Sequence, residues 1–190
     1  MRAAVFFATR EGQTRKIAER IAGDLRAHDM EVDLQDVRTL RAPIDWAGYT
    51  TVCVAASVHA GHHEREMIEF VRRHRDELQR HQAVFLSVTL SEAGAEDPHA
   101  TTERRVRAAA DAHRMVDVFV EETGWKPART LRVAGALAYS KYNLLVRFFM
   151  KRIARAQRAP TDTSHDYEFT DWAAVDRFVA DVARTSTSAS

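Results

Sequence analysis

The sequence predicts an α/β domain in which a parallel sheet of five strands is wound with helices on both faces, and three observations carry that prediction. Strand-like runs recur at residues 2–8, 31–37, 49–56, 82–89 and 130–136. Helical patterns lie between most of them, the alternation expected of parallel strands joined by crossover helices. The third observation is the N-terminal junction, where Ala3-Ala4-Val5-Phe6-Phe7-Ala8 ends at Thr9-Arg10-Glu11-Gly12-Gln13-Thr14 and a helical segment begins at once.

That junction reads as strand, phosphate loop, helix. A phosphate needs backbone N–H groups and hydroxyls converging at a helix N-terminus, whose dipole favours an anion. Thr9 and Thr14 supply hydroxyls, and Gly12 lets the backbone curl and approach closely. The helix that follows carries Ile17, Ile21 and Leu25 on one face. Only about twelve residues separate the second and third strands, so that link is expected to be irregular or one short turn. The third strand contains the single cysteine, Cys53, which reads as a buried, inert thiol. Further helical faces are expected from Met67, Phe70, Val71, His74 and Leu78, and from Val106, Ala110, His113 and Val120. A last helix, with Thr170 as its N-cap, repeats apolar residues at Trp172, Val175, Phe178, Val179 and Val182. Residues 1–184 form one domain in this reading, and 185–190 form a disordered tail.

A chain of 190 residues, 45% hydrophobic and 29% charged, suits one globular domain with an adequate core. The first strand begins at residue 2, which leaves no room for a signal peptide, and no apolar run approaches the ~18 residues of a membrane span. The expectation is a cytoplasmic protein, with peripheral contact at the inner face of the membrane left open by its charge distribution. The net charge of +1 hides that distribution: residues 123–161 hold nine of the 28 basic residues and none of the 27 acidic ones, leaving the rest at −8. Such polarisation suits an anionic partner, such as a lipid surface or a carboxylated substrate.

The loop narrows the ligand by what it lacks. A triphosphate loop would carry Gly-Lys-Ser/Thr, and a dinucleotide loop Gly-x-Gly-x-x-Gly. A single phosphomonoester held by Thr-x-x-Gly-x-Thr after the first strand resembles the FMN site of flavodoxin-like domains; the plainer alternative is a strand-to-helix turn capped by Thr. The flavodoxin-like strand order 2-1-3-4-5 puts the ligand crevice at the carboxyl ends of the strands around the first one. The loops at 9–14, 57–63 and 87–98 then face one crevice. The candidate FMN residues are Thr9, Arg10, Glu11, Gly12, Gln13 and Thr14; Ser57, Val58, His59, Ala60, Gly61 and His62; and Ser87, Val88, Thr89, Leu90 and Ser91.

Between the fifth strand and the last helix lies a basic helical insert, 138–166, that an electron-carrying flavodoxin does not need. On a helical wheel, Leu145, Val146, Phe149, Met150 and Ile153 in the stretch 142–158 fall opposite Arg147, Lys151, Arg155 and Arg158. Leu144 and Phe148 fall toward the basic side, which suits large apolar groups only if something covers them. An amphipathic helix packed on the sheet is the alternative reading.

With the phosphate loop, Ala56-Ser57 through Gly61-His62, and Ala134-Gly135-Ala136-Leu137 followed by Tyr139 and Tyr142, the chain resembles the menaquinone-dependent protoporphyrinogen IX dehydrogenases of bacterial haem biosynthesis. Gly124-Trp125-Lys126-Pro127 and Thr170-Asp171-Trp172 extend the resemblance over nearly the whole chain, while His59-Ala60-Gly61-His62-His63 and the acidic stretch 91–98 depart from it. The resemblance implies an FMN enzyme that oxidises a porphyrinogen and reduces a quinone, with Tyr139, Tyr142, Arg147, Phe148, Lys151 and Arg155 meeting substrate or membrane. The flavin carries the redox chemistry, so no catalytic acid or base is obligatory. A flavodoxin-like electron carrier or regulatory flavoprotein docking a protein partner is the alternative. His59, His62 and His63 lack the further ligands a zinc site requires, so no metal is expected; the basic run carries no nucleic-acid reading motif. The sequence leaves oligomeric state open.

Overall fold

The computed structural model describes residues 1–137 and 166–188. Along the chain the elements are β1 (Arg2–Ala8), α1 (Gln13–Ala27), β2 (Glu31–Asp36), β3 (Thr51–His59), β4 (His62–His63), α2 (Arg65–Arg73), α3 (Arg75–Arg80), β5 (Val84–Thr89), α4 (Leu90–Glu96), α5 (Thr102–Thr123), β6 (Thr130–Ala134), β7 (Ala136–Leu137), β8 (Tyr167–Glu168) and α6 (Trp172–Ser188). The main sheet runs β2-β1-β3-β5-β6, all parallel, which is the expected order 2-1-3-4-5 once the short β4 is set aside. β4 folds back on β3 as an antiparallel pair, and β7 pairs with β8 in a separate two-stranded ribbon. The link between β2 and β3 contains one 3₁₀ turn, Trp46–Gly48, as its length required.

Strand alternation divides the core. Ala3, Val5 and Phe7 of β1 point to the face covered by Ile17, Ile21 and Leu25 of α1 and by Val175, Phe178, Val179 and Val182 of α6. Ala4, Phe6 and Ala8 point to the other face, against Met67, Phe70, Val71, Leu78 and Phe119. Because both faces are covered, the central strand is a continuous apolar run rather than an alternating one. Phe85 and Phe119 stack 4.4 Å apart, with Trp125 edge-on to both.

Several expectations are corrected. The inward face of α5 is Ala112, Val116, Phe119 and Thr123, whereas Val106 and His113 are exposed. Phe119 is the largest apolar side chain of that helix, and seating it against Phe85 fixes the helix rotation. The third helical region is two helices broken at His74, whose ring packs on Trp46 and Phe70. Residues 90–96, taken as part of a loop, form α4 because Thr89 Oγ1 accepts from Ser91 N at 3.2 Å and caps it. The acidic character of that stretch has a local cause: Glu92 turns inward and takes Arg132 at 3.1 Å.

The N-cap of α6 is Asp171, which accepts from Ala174 N, not Thr170. Thr170 instead donates to Ala134 O and accepts from Gln13 Nε2, each at 2.8 Å. The tail expected from residue 185 onward is helical to Ser188; the Thr185 and Ser186 hydroxyls bond back to Val182 O, and Ser186 meets Thr51 Oγ1 at 2.6 Å. Tyr139, Tyr142, Arg147, Phe148, Lys151 and Arg155, expected from the resemblance to meet substrate or membrane, lie outside the described residues. Among the described residues no helix is long and apolar enough to cross a membrane.

The rotation of α5 is testable. Phe119→Ala should lower unfolding free energy by ~3–5 kcal/mol through lost burial and a cavity. Val106→Ser, on the side expected from sequence to face inward, should stay within ~0.5 kcal/mol of the parent in the same urea titration.

Candidate functional site

The parallel sheet delivers the loops after β1, β3 and β5 to one edge, and they enclose a cleft of about 310 Å³. At the first loop the chain leaves β1 and turns through Gly12, whose φ of 98° lies in the left-handed region where a side chain would strain the backbone. Gly12 N donates to Thr9 Oγ1 at 3.0 Å, and Lys16 N to Gly12 O at 3.1 Å opens α1. Among the described residues no side chain caps this helix, which leaves its first N–H groups to a ligand. Thr14 Oγ1 is buried and has no hydrogen-bond partner among the described residues. An orphaned hydroxyl at an uncapped helix N-terminus is what a bound phosphate oxygen would satisfy.

The cations around this loop are already committed. Arg10 Nε donates to Glu64 at 2.8 Å, Arg15 reaches Asp36 at 3.2 Å and Lys16 reaches Glu168 at 3.0 Å. An anion placed here would meet neutral donors and the helix dipole.

The second loop is the tight turn of the β3–β4 hairpin, with Ala60 and Gly61 at φ 49° and 87°. A Cβ at Gly61 would meet nothing within 4 Å, so the dihedral and not crowding selects glycine. The hairpin's alternation scatters the three histidines. His59 lies in the cleft with Nε2 3.1 Å from Glu64 Oε1, too far off line for a well-formed hydrogen bond but close enough for an ion pair. His62 faces outward toward Glu122 at 3.5 Å. His63 faces inward, sandwiched against Phe85 and Phe119 with Nε2 2.9 Å from Ser87 Oγ, and burial pushes its pKa down to about 3. They do not converge on one point.

Of the residues expected at the site, Thr9, Glu11, Gln13, Thr14, Ser57, Val58, His59, Ala60, Gly61, Val88, Thr89, Leu90 and Ser91 line the cleft. Four do not. Arg10 turns to Glu64, Gly12 shapes the loop beside the cleft, His62 is on the outer surface, and Ser87 is consumed by His63. Asp111, Arg114 and Met115 of α5, with Gly135 and Ala136, complete the lining and were not anticipated. The three α5 residues recur at helical spacing, so placing Phe119 inward would have revealed them. Gly135 sits where a Cβ would come 3.5 Å from Val88 Cγ1, keeping this wall close to β5.

The fold and site together are those of a flavin-binding α/β domain. A family model described as a flavodoxin domain matches residues 4–164. Over 183 residues, 96% of this chain and 95% of the relative, the sequence is 31% identical to the Protoporphyrinogen IX dehydrogenase [quinone] of Escherichia coli K12. A Leishmania major protein of the same name is 30% identical over 94% of this chain and 73% of its own length. Among solved structures, oxidised Flavodoxin 1 from Bacillus cereus aligns over 97% of this chain and 98% of its own, with TM-score 0.53 and 15% identity. A flavodiiron core from Synechocystis aligns over the whole chain and 37% of its own, with TM-score 0.57 and 12% identity. The chain belongs to the flavodoxin domain family, in the branch of the quinone-type protoporphyrinogen IX dehydrogenases. FMN is its cofactor, and Thr9, Thr14 and the α1 N-terminus fit the phosphate.

Two measurements follow. Thr14→Val removes a hydroxyl that has no protein partner, so it should leave the stability of the apoprotein unchanged or higher while weakening FMN binding ~10–100-fold, the loss of one hydrogen bond to a charged group. The second concerns pH. His63 has a folded pKa below its unfolded value near 6.5, so its stabilising contribution is full above that value and is lost as pH falls toward about 3. Urea midpoints should decline below pH 6.5, and His63→Gln, which keeps a partner for Ser87, should flatten that decline.

Proposed function

We propose that this protein is an FMN-dependent oxidoreductase that oxidises protoporphyrinogen IX to protoporphyrin IX and passes the electrons to a quinone, in haem biosynthesis. The observation that carries the reading is the near full-length match to relatives named for that activity, on a chain whose three loops form the cofactor cleft. Bound FMN would supply two-electron redox chemistry, and the six-electron oxidation of porphyrinogen to porphyrin would need three such rounds, each reducing one quinone. The chain's own part is to bind and aim the cofactor. Thr9, Thr14 and the first N–H groups of α1 take the phosphate, while Ser57–Gly61 and Val88–Ser91 border the ring and leave one side of the cleft open.

Menaquinone is the acceptor in this proposal, and the protein meets it at the inner membrane surface without spanning the bilayer. Support comes from sequence: Lys141, Arg147, Lys151, Arg152, Arg155 and Arg158 occur between residues 138 and 158 without one acid, among many large apolar residues. Cations attract anionic headgroups and propionates alike. Tyr139, Tyr142 and Phe148 supply apolar contact to substrate or lipid.

Purified, FMN-loaded protein should oxidise protoporphyrinogen anaerobically when menaquinone is supplied, and should accumulate little one-electron flavin. Neutralising Arg147, Lys151 and Arg155 together should weaken binding to anionic liposomes by ~3 kcal/mol if the effects add. FMN should remain bound in that variant. A parent that stabilises the one-electron form and turns over no porphyrinogen would be an electron carrier; one that never floats with anionic lipid would remove the membrane contact.

A further inference from the structure

Four charged or titratable side chains border the cleft among the described residues: Glu11, His59, Asp111 and Arg114. Arg114 is engaged by Asp111 at 2.8 Å on the same helix. His59 stands between two loops, with Nδ1 3.7 Å from Glu11 of the phosphate loop and Nε2 3.1 Å from Glu64 behind it. The Glu64 side chain is wholly buried, and it also accepts from Arg10 at 2.8 Å and from Ser57 Oγ at 3.2 Å. One buried carboxylate thus ties the phosphate loop, the end of β3 and the one imidazole that lines the cleft. A carboxylate removed from water stays ionised only with such partners. Burial pushes the Glu64 carboxyl up, but its contacts with His59 and Arg10 outweigh that and hold it below its ordinary value. The Glu64 contact in turn raises the His59 imidazole above its ordinary value, against the opposing pull of burial and with help from Glu11.

We propose that His59 sets the redox balance of the bound FMN in favour of its reduced, negatively charged form, and that Glu64 is the positioning residue holding His59 at the cleft. The inference rests on FMN binding here. Two electrons and one proton convert the neutral flavin ring into a singly anionic one, so an imidazole beside it that carries its proton binds the reduced form more tightly than the oxidised form. The midpoint potential reads that ratio of affinities, and a tenfold change in the ratio is about 30 mV for a two-electron couple.

The test is anaerobic, dye-equilibrated reduction of FMN on reconstituted protein at pH 6 and pH 8, with the oxidised-FMN Kd measured by fluorescence quenching. His59→Gln should lower the potential by ~30 mV, a tenfold loss of preference for the reduced form, while changing the oxidised Kd less than about twofold. His59→Arg should restore it. Relative to the parent, Glu64→Gln should lower the potential more at pH 8 than at pH 6, because His59 then loses the carboxylate contact that raises its imidazole. An unchanged potential in His59→Gln at both pH values, or a His59→Arg variant as low as His59→Gln, overturns the inference even if Glu64→Gln fails to fold. Failure of the parent apoprotein to bind FMN overturns the cofactor reading and this inference together.

Discussion

The position of β1 between β2 and β3 governs where chemistry can occur in this molecule. Every strand of the main sheet is parallel, so every carboxyl end opens at the same edge. The chain leaves β1 toward α1 on one face and leaves β3 toward α2 on the other, and the loops part at that point. Phe6 and Phe7 hold β1 from opposite faces, each almost fully buried. Because those two rings cannot exchange faces without a one-residue slip of the whole strand, the register that sets Ala8 beside Ala56 is strongly specified. Thr9 and Ser57 then emerge as neighbours, and the phosphate loop and the ring loop share a wall.

The two loops are joined by charge rather than by apolar packing. Arg10 and His59 converge on Glu64, which is out of contact with water. Elsewhere around the phosphate loop, Lys16 and Gln13 reach Glu168 and Thr170, tying α1 to the segment that follows the insert. The candidate phosphate loop is therefore braced on both sides by polar contacts that consume its own cations. That leaves the helix N-terminus and hydroxyls to meet an anion, a receptor whose strength would depend on geometry more than on net charge.

Much of this was legible in the sequence, and the parts that were not have identifiable causes. The three inner strands β1, β3 and β5 are written in apolar runs, because a strand covered on both faces has no polar side to confuse the pattern, whereas the edge strands β2 and β6 alternate polar and apolar residues and are only partly buried. The spacing of Val106, Ala110, His113 and Val120 mimics a buried stripe on α5, yet Val106 is exposed and Val116 and Phe119 enter the core. That mimicry concealed Asp111, Arg114 and Met115. Likewise, the histidines looked like one cluster in the chain, yet a two-residue hairpin turn and strand alternation send His59, His62 and His63 to the cleft, the surface and the core. No composition rule anticipates a buried Glu64 beside them, since an acidic residue at the start of a helix reads first as an ordinary surface group.

Whether a phosphate is recognised by neutral donors at the start of α1 can be read from equilibrium titration of the apoprotein with FMN and with riboflavin. FMN should bind at least ~100-fold more tightly than riboflavin, as two or more charge-assisted hydrogen bonds require. That preference should change little between low and moderate salt, because Arg10, Arg15 and Lys16 are spent on carboxylates. Equal affinity for the two flavins, or a preference for FMN that collapses as salt is added, would contradict such recognition.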